Sequence, residues 1–348
     1  MLKVNILLKF KTYFLLKTLR NKKLFNANDI MIYTLKTAVR TFPRTLLRGI
    51  GQVMFQDSIW TGLLILAGIF WGAYEEGIGI VAWGMLVGII ISTLTGYVLQ
   101  LPDKNGAQGL WGFNGCLVGC AFPTFLGNTV WMWLGLMLCS AMTTWVRTGL
   151  DNVMDKWKVS SLTFPFVLST YFFLLASRLF NGMPPIHMNT PELPLGIDTS
   201  LNLDFWHLVE YWLKGIAQVF LLNSWAAGIF ILAGLALKSI RAAVWAAIGS
   251  ALSLLIVIIW QGPGADISQG LYGFSAVLTA IALGSTFCDY SWKTTLWTIV
   301  GIIATVFIQA AMNAFFSPLG LPTLTGPFCV ATWLFLFPDY PFFRKQTA

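Results

Sequence analysis

Apolar residues run along this chain in long blocks separated by short polar breaks, and the pattern of blocks occurs twice. The first copy opens with a short segment at about 40–57, broken by Pro43, Gly49 and Gly51. It continues in five longer apolar stretches near 59–74, 78–99, 109–126, 129–147 and 161–179. The second copy has a short segment at about 207–223 and five stretches near 225–238, 241–260, 269–287, 292–313 and 323–338. A membrane span needs roughly 20 apolar residues, so the longer stretches predict ten spanning helices. The two short segments cannot cross and predict half-helices.

The duplication is visible in the residues themselves. Residues 51–68 (GQVMFQDSIWTGLLILAG) align without a gap to 217–234 (AQVFLLNSWAAGIFILAG), with eight of eighteen positions identical. GLWGF at Gly109–Phe113 recurs as GLYGF at Gly270–Phe274, and LTFPF at Leu162–Phe166 recurs as LTGPF at Leu324–Phe328. The offsets are 166, 161 and 162 residues. An odd number of spans per copy makes the second copy enter the membrane from the opposite side, a plan common among transport proteins. The predicted fold is therefore an all-α integral membrane protein of two inverted repeats, each of five transmembrane helices plus one re-entrant half-helix. The repeats are expected at 40–180 and 207–348, with an extracytoplasmic linker at 181–206 and a basic cytoplasmic N-terminal segment at 1–39.

Charge fixes the expected orientation. With the N-terminus in the cytoplasm, 20 of the 22 Lys and Arg residues fall on the cytoplasmic side, eleven of them up to Arg48. Arg178 and Lys214 fall outside, together with Glu75, Glu76, Glu192, Asp198, Asp204 and Asp266. The reverse orientation would invert this bias against the positive-inside rule. A multi-pass protein of the cell membrane, inner or plasma, with both termini cytoplasmic is the expectation.

Composition excludes the other broad classes. Of the 348 residues, 57% are hydrophobic and 10% charged, and the mean hydropathy is +0.72. A soluble domain runs nearer one quarter charged. The net charge of +8 lies mostly in the first 48 residues and the loops, the footprint of segments facing anionic lipid rather than nucleic acid. Cys116, Cys120, Cys139, Cys288 and Cys329 lie in or at the edge of apolar runs with no paired CxxC units, and read as small buried residues. There is no GxxxxGK[ST] phosphate loop. His187 and His207, in or beside the seam between copies, cannot build a catalytic triad. No catalytic residue, metal or cofactor is expected.

Ionisable residues inside a membrane usually mark proton relays or ion sites, and the predicted spans hold almost none. Asp57 is the carboxylate placed nearest the midplane, and its counterpart is the neutral Asn223. A pump or symporter is therefore disfavoured. Neutral polar groups stand at repeat-related positions instead. Gln52 and Gln218 lie on the short segments, and Thr163 and Thr325 each precede a proline by two residues. A lone intramembrane Thr usually bonds back to its own helix, and a lone Gln is interhelical glue; two symmetric pairs beside broken helices point to a lined path. Thr163 and Thr325 are expected to face each other across one central cavity. Phe113 and Leu117, and likewise Phe274 and Leu278, are four apart and share a helix face, forming apolar walls. A slot with such walls and stacked neutral oxygens suits a small, flat, uncharged solute rich in N–H donors, of which urea is the simplest example.

These segments resemble the urea transporters, the channel-like family of bacteria and of animal kidney and red cells. The resemblance covers about residues 40–345. The LPxxTxPF signature stands at Leu321–Phe328, with Leu162–Phe166 as its first-half counterpart. The GQV segment stands at Gly51–Val53 and again at Ala217–Val219, and GLxGFN at Gly109–Asn114 with GLYGFS in the second half. The resemblance implies ten spans, two re-entrant half-helices, a pore in each protomer of a homotrimer, and passive flow of urea through the lipid bilayer. It places Gln52, Phe55, Gln218, Val219 and Leu221 on the half-helices, Phe113, Leu117, Phe274 and Leu278 in the filter walls, and Thr163 and Thr325 as central hydroxyls. Where the family often has Asn-Pro after the GQV segment, this chain has Asp57-Ser58 and Asn223-Ser224. Some members also carry Glu at the Gln218 position. Leu221 stands opposite Phe55, so one aromatic clamp is missing. The alternatives are an ammonia channel, which would call for a buried histidine pair in the pore, a small-amide channel, and a coupled small-amide symporter.

Overall fold

The computed structural model describes residues 41–194 and 196–340; the basic segment expected at 1–39 lies outside the described residues. Regular structure among the described residues is helical, apart from an isolated β-bridge between Leu126 and Pro185. In chain order the helices are α1 (41–52), α2 (Ile59–Glu75), α3 (Ile80–Val98), the short α4 (Asp103–Ala107), α5 (Phe113–Phe125), α6 (Val130–Met154) and α7 (Phe164–Ser177). An irregular segment leads to α8 (Phe205–Ala217), α9 (Trp225–Lys238), α10 (Ile240–Ile259), the short α11 (Gly264–Ser268), α12 (Gly273–Ile281), α13 (Trp292–Phe316) and α14 (Gly326–Leu336). A π-helical turn at Ala282–Thr286 extends α12. The same order of long and short elements thus occurs twice.

The caps recur with the elements. Ser58 Oγ accepts from Thr61 N at the start of α2, and Ser224 Oγ from Ala227 N at the start of α9, each at 3.2 Å. Thr129 caps α6 and Ser291 caps α13 in the same way. A hydroxyl acceptor of this kind satisfies one of the donors left open in the first helical turn. Pro165 and Pro327 sit in the first turns of α7 and α14, where their missing N–H costs nothing. Left-handed backbone also comes in pairs: Phe55 with Leu221, Gln100 with Gln261, Gly109 with Gly270, Lys158 with Gly320, and Leu162 with Leu324.

Those left-handed residues correct several expected boundaries. Gly109 and Gly270 have φ of +81° and +72°, which no α-helix accommodates, so α5 and α12 begin at Phe113 and Gly273. Leu162 and Leu324 do the same to α7 and α14, and Thr163 and Thr325 become their N-cap residues. Val219 lies in a 3-10 turn, Gln218–Phe220, that continues α8, whereas Phe55 and Leu221 lie in the turns just after α1 and α8.

By length and composition, three helices among the described residues can cross a membrane: Ile80–Val98, Ile240–Ile259 and Trp292–Leu319. The segment Phe205–Phe220 with Trp225–Lys238, bent by 72°, makes up to four if it is one span. Ile59–Glu75, Phe113–Phe125, Phe164–Ser177, Gly273–Thr286 and Gly326–Leu336 are apolar but shorter.

Two kinds of contact hold the body together. Within the first half, α3 meets α5 through Gly84 and Gly88 against Gly115 and Gly119. A Cβ on Gly88 would lie 2.1 Å from the Gly115 carbonyl oxygen, so only glycine permits this approach of backbones. Between halves, α2 packs along α9. One buried cluster then joins Phe113, Leu117, Leu162 and Phe166 to Val219, Phe274, Leu278, Leu324 and Phe328.

Candidate functional site

Thr163 and Thr325, next in sequence to Leu162 and Leu324 of this cluster, meet each other. Each is 3% exposed, and their Oγ1 atoms are 2.6 Å apart, a hydrogen bond linking residues 162 positions apart in sequence. Thr163 Oγ1 also lies 3.4 Å from Cys329 Sγ. Neither hydroxyl caps its own helix. The helix-bonded alternative is therefore not what the structure holds. The expected cavity between the two hydroxyls is not there either: they touch, leaving no room for a solute between them.

The two glutamines make one and the same contact in each half. Gln52 Nε2 donates to the Gln108 carbonyl and Gln218 Nε2 to the Gln269 carbonyl, both at 2.9 Å. Each carbonyl immediately precedes a left-handed glycine. A Cβ at Gly109 would fall 2.3 Å from Gly49 N, and one at Gly270 would fall 2.4 Å from Gly215 N. The glutamine thus ties the end of α1, or the 3-10 turn after α8, to the turn that launches α5 or α12.

Those two helices carry the predicted apolar pairs. Phe113 and Phe274 are 7% and 8% exposed, and Leu117 and Leu278 are fully buried. Phe55 packs edge-on against Phe287 at 5.5 Å and Phe328 at 6.0 Å, an aromatic group that crosses between halves. Leu221 occupies the corresponding turn of the second half, in the left-handed conformation that Phe55 also adopts. Among the described residues, the fully buried polar side chains are Ser, Thr, Asn and Gln. Apart from Arg147, such an interior offers hydrogen bonds without a formal charge.

Asp57 is exposed, with Lys238 Nζ at 3.5 Å, so it is not the buried carboxylate that its position in the sequence suggests. At the counterpart turn, Glu76 Oε1 accepts from Asn223 N at 2.8 Å, and Ser224 Oγ donates to Glu75 Oε2 at 2.5 Å. Partial burial pushes the Glu76 carboxyl up to about 7; the Asn223 amide opposes this, and the Glu75 charge adds to it. His187 is exposed, and His207 is half-exposed beside Asp204, at 2.5 Å. Neither reaches the cluster.

Sequence reasoning missed the residues behind the walls. Arg147 counted only toward topology, yet its Nη1 donates to the Leu110 carbonyl at 2.6 Å and its guanidinium lies 5.4 Å from the centre of the Phe113 ring. Gln309 donates to the Leu271 carbonyl in the second half. The offset of 162 residues already aligned these two side chains, and was the signal that would have found them. Asn114 Oδ1 accepting from Phe166 N at 3.2 Å, which links α5 to α7, required the tertiary structure.

The family described as "Urea transporter" matches the chain over residues 44–340. The chain is similar to Urea transporter 1 of Ovis aries, 33% identical over 298 residues, covering 83% of this chain and 75% of that protein. It is similarly related to Urea transporter 1 of Mus musculus, 32% identical over 311 residues, covering 86% and 78%. The match takes in both halves, the two glutamine turns and both threonines, and the chain belongs to the urea transporter family.

Proposed function

We propose that this protein carries urea across a membrane passively, down its gradient, past the paired threonines. The observation that carries the reading is the Thr163–Thr325 contact, two neutral hydroxyls from opposite halves within an apolar cluster. Urea is flat, uncharged and rich in N–H donors. It can trade water for hydroxyl oxygens between apolar faces, whereas an ion would lose hydration with no compensating charge. Because the hydroxyls touch, the solute passes alongside the pair, using lone pairs that their mutual bond leaves free. Phe113, Leu117, Phe274 and Leu278 form the walls. Gln52, Phe55, Gln218, Val219 and Leu221 belong to the two turns that bound the path.

The architecture that goes with this reading is two inverted repeats at 40–180 and 207–348, ten spans, two re-entrant half-helices and cytoplasmic termini. Each protomer of a homotrimer in the cell membrane has its own pore. The recurrence of elements, caps and left-handed residues supports the repeat. The neutral threonine and glutamine pairs favour passive flow over coupled symport.

The test is stopped-flow urea efflux from liposomes holding the purified protein. Efflux above protein-free vesicles, unaffected by collapsing proton and sodium gradients, is expected. Accumulation above equilibrium that one ion gradient abolishes would replace the channel with a symporter.

A further inference from the structure

The two wall helices are supported by unlike groups. In the second half, the Leu271 carbonyl before α12 receives a bond from Gln309, a neutral side chain that is 1% exposed. In the first half, the matching Leu110 carbonyl receives Arg147. The arginine side chain is 13% exposed, and its Nη2 lies 3.3 Å from Asp151 Oδ2, one turn on along α6 and 32% exposed. Position 313, which aligns with Asp151, holds the neutral Asn313. A buried charge is expensive where an amide makes the same backbone bond. Bonding to the Leu110 carbonyl therefore does not explain why the first half has an arginine.

Its place over Phe113 supplies a reason. The guanidinium covers one face of the ring at 5.4 Å. We propose that Arg147 is a specificity-determining residue: it leaves urea alone and repels cations of the same shape from the Phe113 end of the path. This rests on the proposed path running along Phe113. Arg147 itself does not touch the solute. A solute stacked on the ring's other face would lie roughly 9 Å from the guanidinium, one van der Waals layer beyond the ring. At an effective dielectric of about 20, that repulsion lowers the local population of a monovalent cation by an order of magnitude. The guanidinium also draws on the ring's negative face, weakening the cation–π attraction an aromatic wall would otherwise give. A neutral dipole feels neither effect to first order. Asp151, held by the Ser161 N–H at 2.9 Å and farther from the ring than the guanidinium, offsets a large part of this field and leaves roughly a two- to threefold bias against cations.

The substrate class that discriminates is guanidinium, which is planar and trigonal like urea but charged. Its flux is measured against urea flux in the same proteoliposomes, at matched protein density. Arg147→Gln with Asp151→Asn copies the neutral pair of the second half and keeps a donor for Leu110. It is expected to hold urea flux within about twofold and to raise the guanidinium-to-urea ratio roughly two- to threefold, because both charges of the pair are removed. Asp151→Asn alone unmasks the arginine and is expected to lower the ratio; it serves if the double variant fails to fold. A ratio unchanged in both, with urea flux intact, overturns the assignment. Absence of urea flux in the unsubstituted protein would instead overturn the proposed function, so the two failures read differently.

Discussion

Replacing Thr325 by Val tests the threonine pair most directly. Val keeps the branched shape and removes the hydroxyl. Thr325 stands at the N-cap of α14 but makes no capping bond with its side chain, so no cap is lost. What is lost is the bond to Thr163, 2.6 Å long. Thr163 Oγ1, 3% exposed, is then left with Cys329 Sγ at 3.4 Å, a weak partner. An under-satisfied buried hydroxyl costs about 1–2 kcal/mol of stability. The double variant Thr163→Val with Thr325→Val removes both partners at constant shape and is expected to recover most of that loss. Flux should behave otherwise. Each missing oxygen removes an acceptor for the N–H groups of urea in a site closed to water. A loss of about 1.4 kcal/mol at the barrier slows the step roughly tenfold. Each single variant should therefore lose about tenfold in permeability, and the double variant more, although it is the more stable protein. Stopped-flow urea efflux at matched protein density, with thermal melts of the same samples, reads both quantities. Unchanged flux in both single variants would refute the reasoning. So would flux that returns with stability in the double variant, because the pair would then be structural.

Gly109→Ala should cost about 2 kcal/mol or more, since it strains a left-handed residue and drives a Cβ into Gly49; the melting temperature of the purified variant checks it. Gln52→Leu and Gln218→Leu each strip one donor from an equivalent carbonyl, and are expected to lower stability by similar amounts, about 1 kcal/mol. A large difference between them would contradict the equivalence of the two turns. The Glu76 carboxyl is raised from 4.5 to about 7, so between these values the folded state binds more protons than the unfolded one. Stability from this group is full below about 4.5 and lost as pH rises through about 7. Melting should therefore occur at higher temperature near pH 5 than near pH 8, and Glu76→Gln should reduce that difference.

The apolar blocks placed nearly every long helix within a few residues, because a helix that faces lipid or buried protein needs an almost continuous apolar run. The repeat offsets were equally legible. They put Gln52 with Gln218, Thr163 with Thr325, and Phe113 with Phe274, since side chains doing equivalent jobs in two copies keep their type and spacing. Helix starts at 109, 161, 269 and 323 were misread, because hydropathy does not register φ: Gly109, Leu162, Gly270 and Leu324 belong to apolar segments, yet their left-handed backbone ends the helix.

Distance was what the sequence could not give. That the hydroxyls of Thr163 and Thr325 touch depends on how α7 and α14 meet, and pairing by offset is silent on whether a gap lies between. The same holds for Asp57. Its sequence neighbours suggested burial, and only the packing of α2 along α9 brings Lys238 to it at an exposed edge. Arg147 makes the point most sharply. Residue type and spacing marked it as a cytoplasmic charge, while the fold lays it over Phe113. Composition and periodicity determined which residues leave water and in what order, because transfer from water depends on the residue itself. Which of those residues meet, and at what distance, was decided by the long-range packing of two halves that share almost no local contacts along the chain.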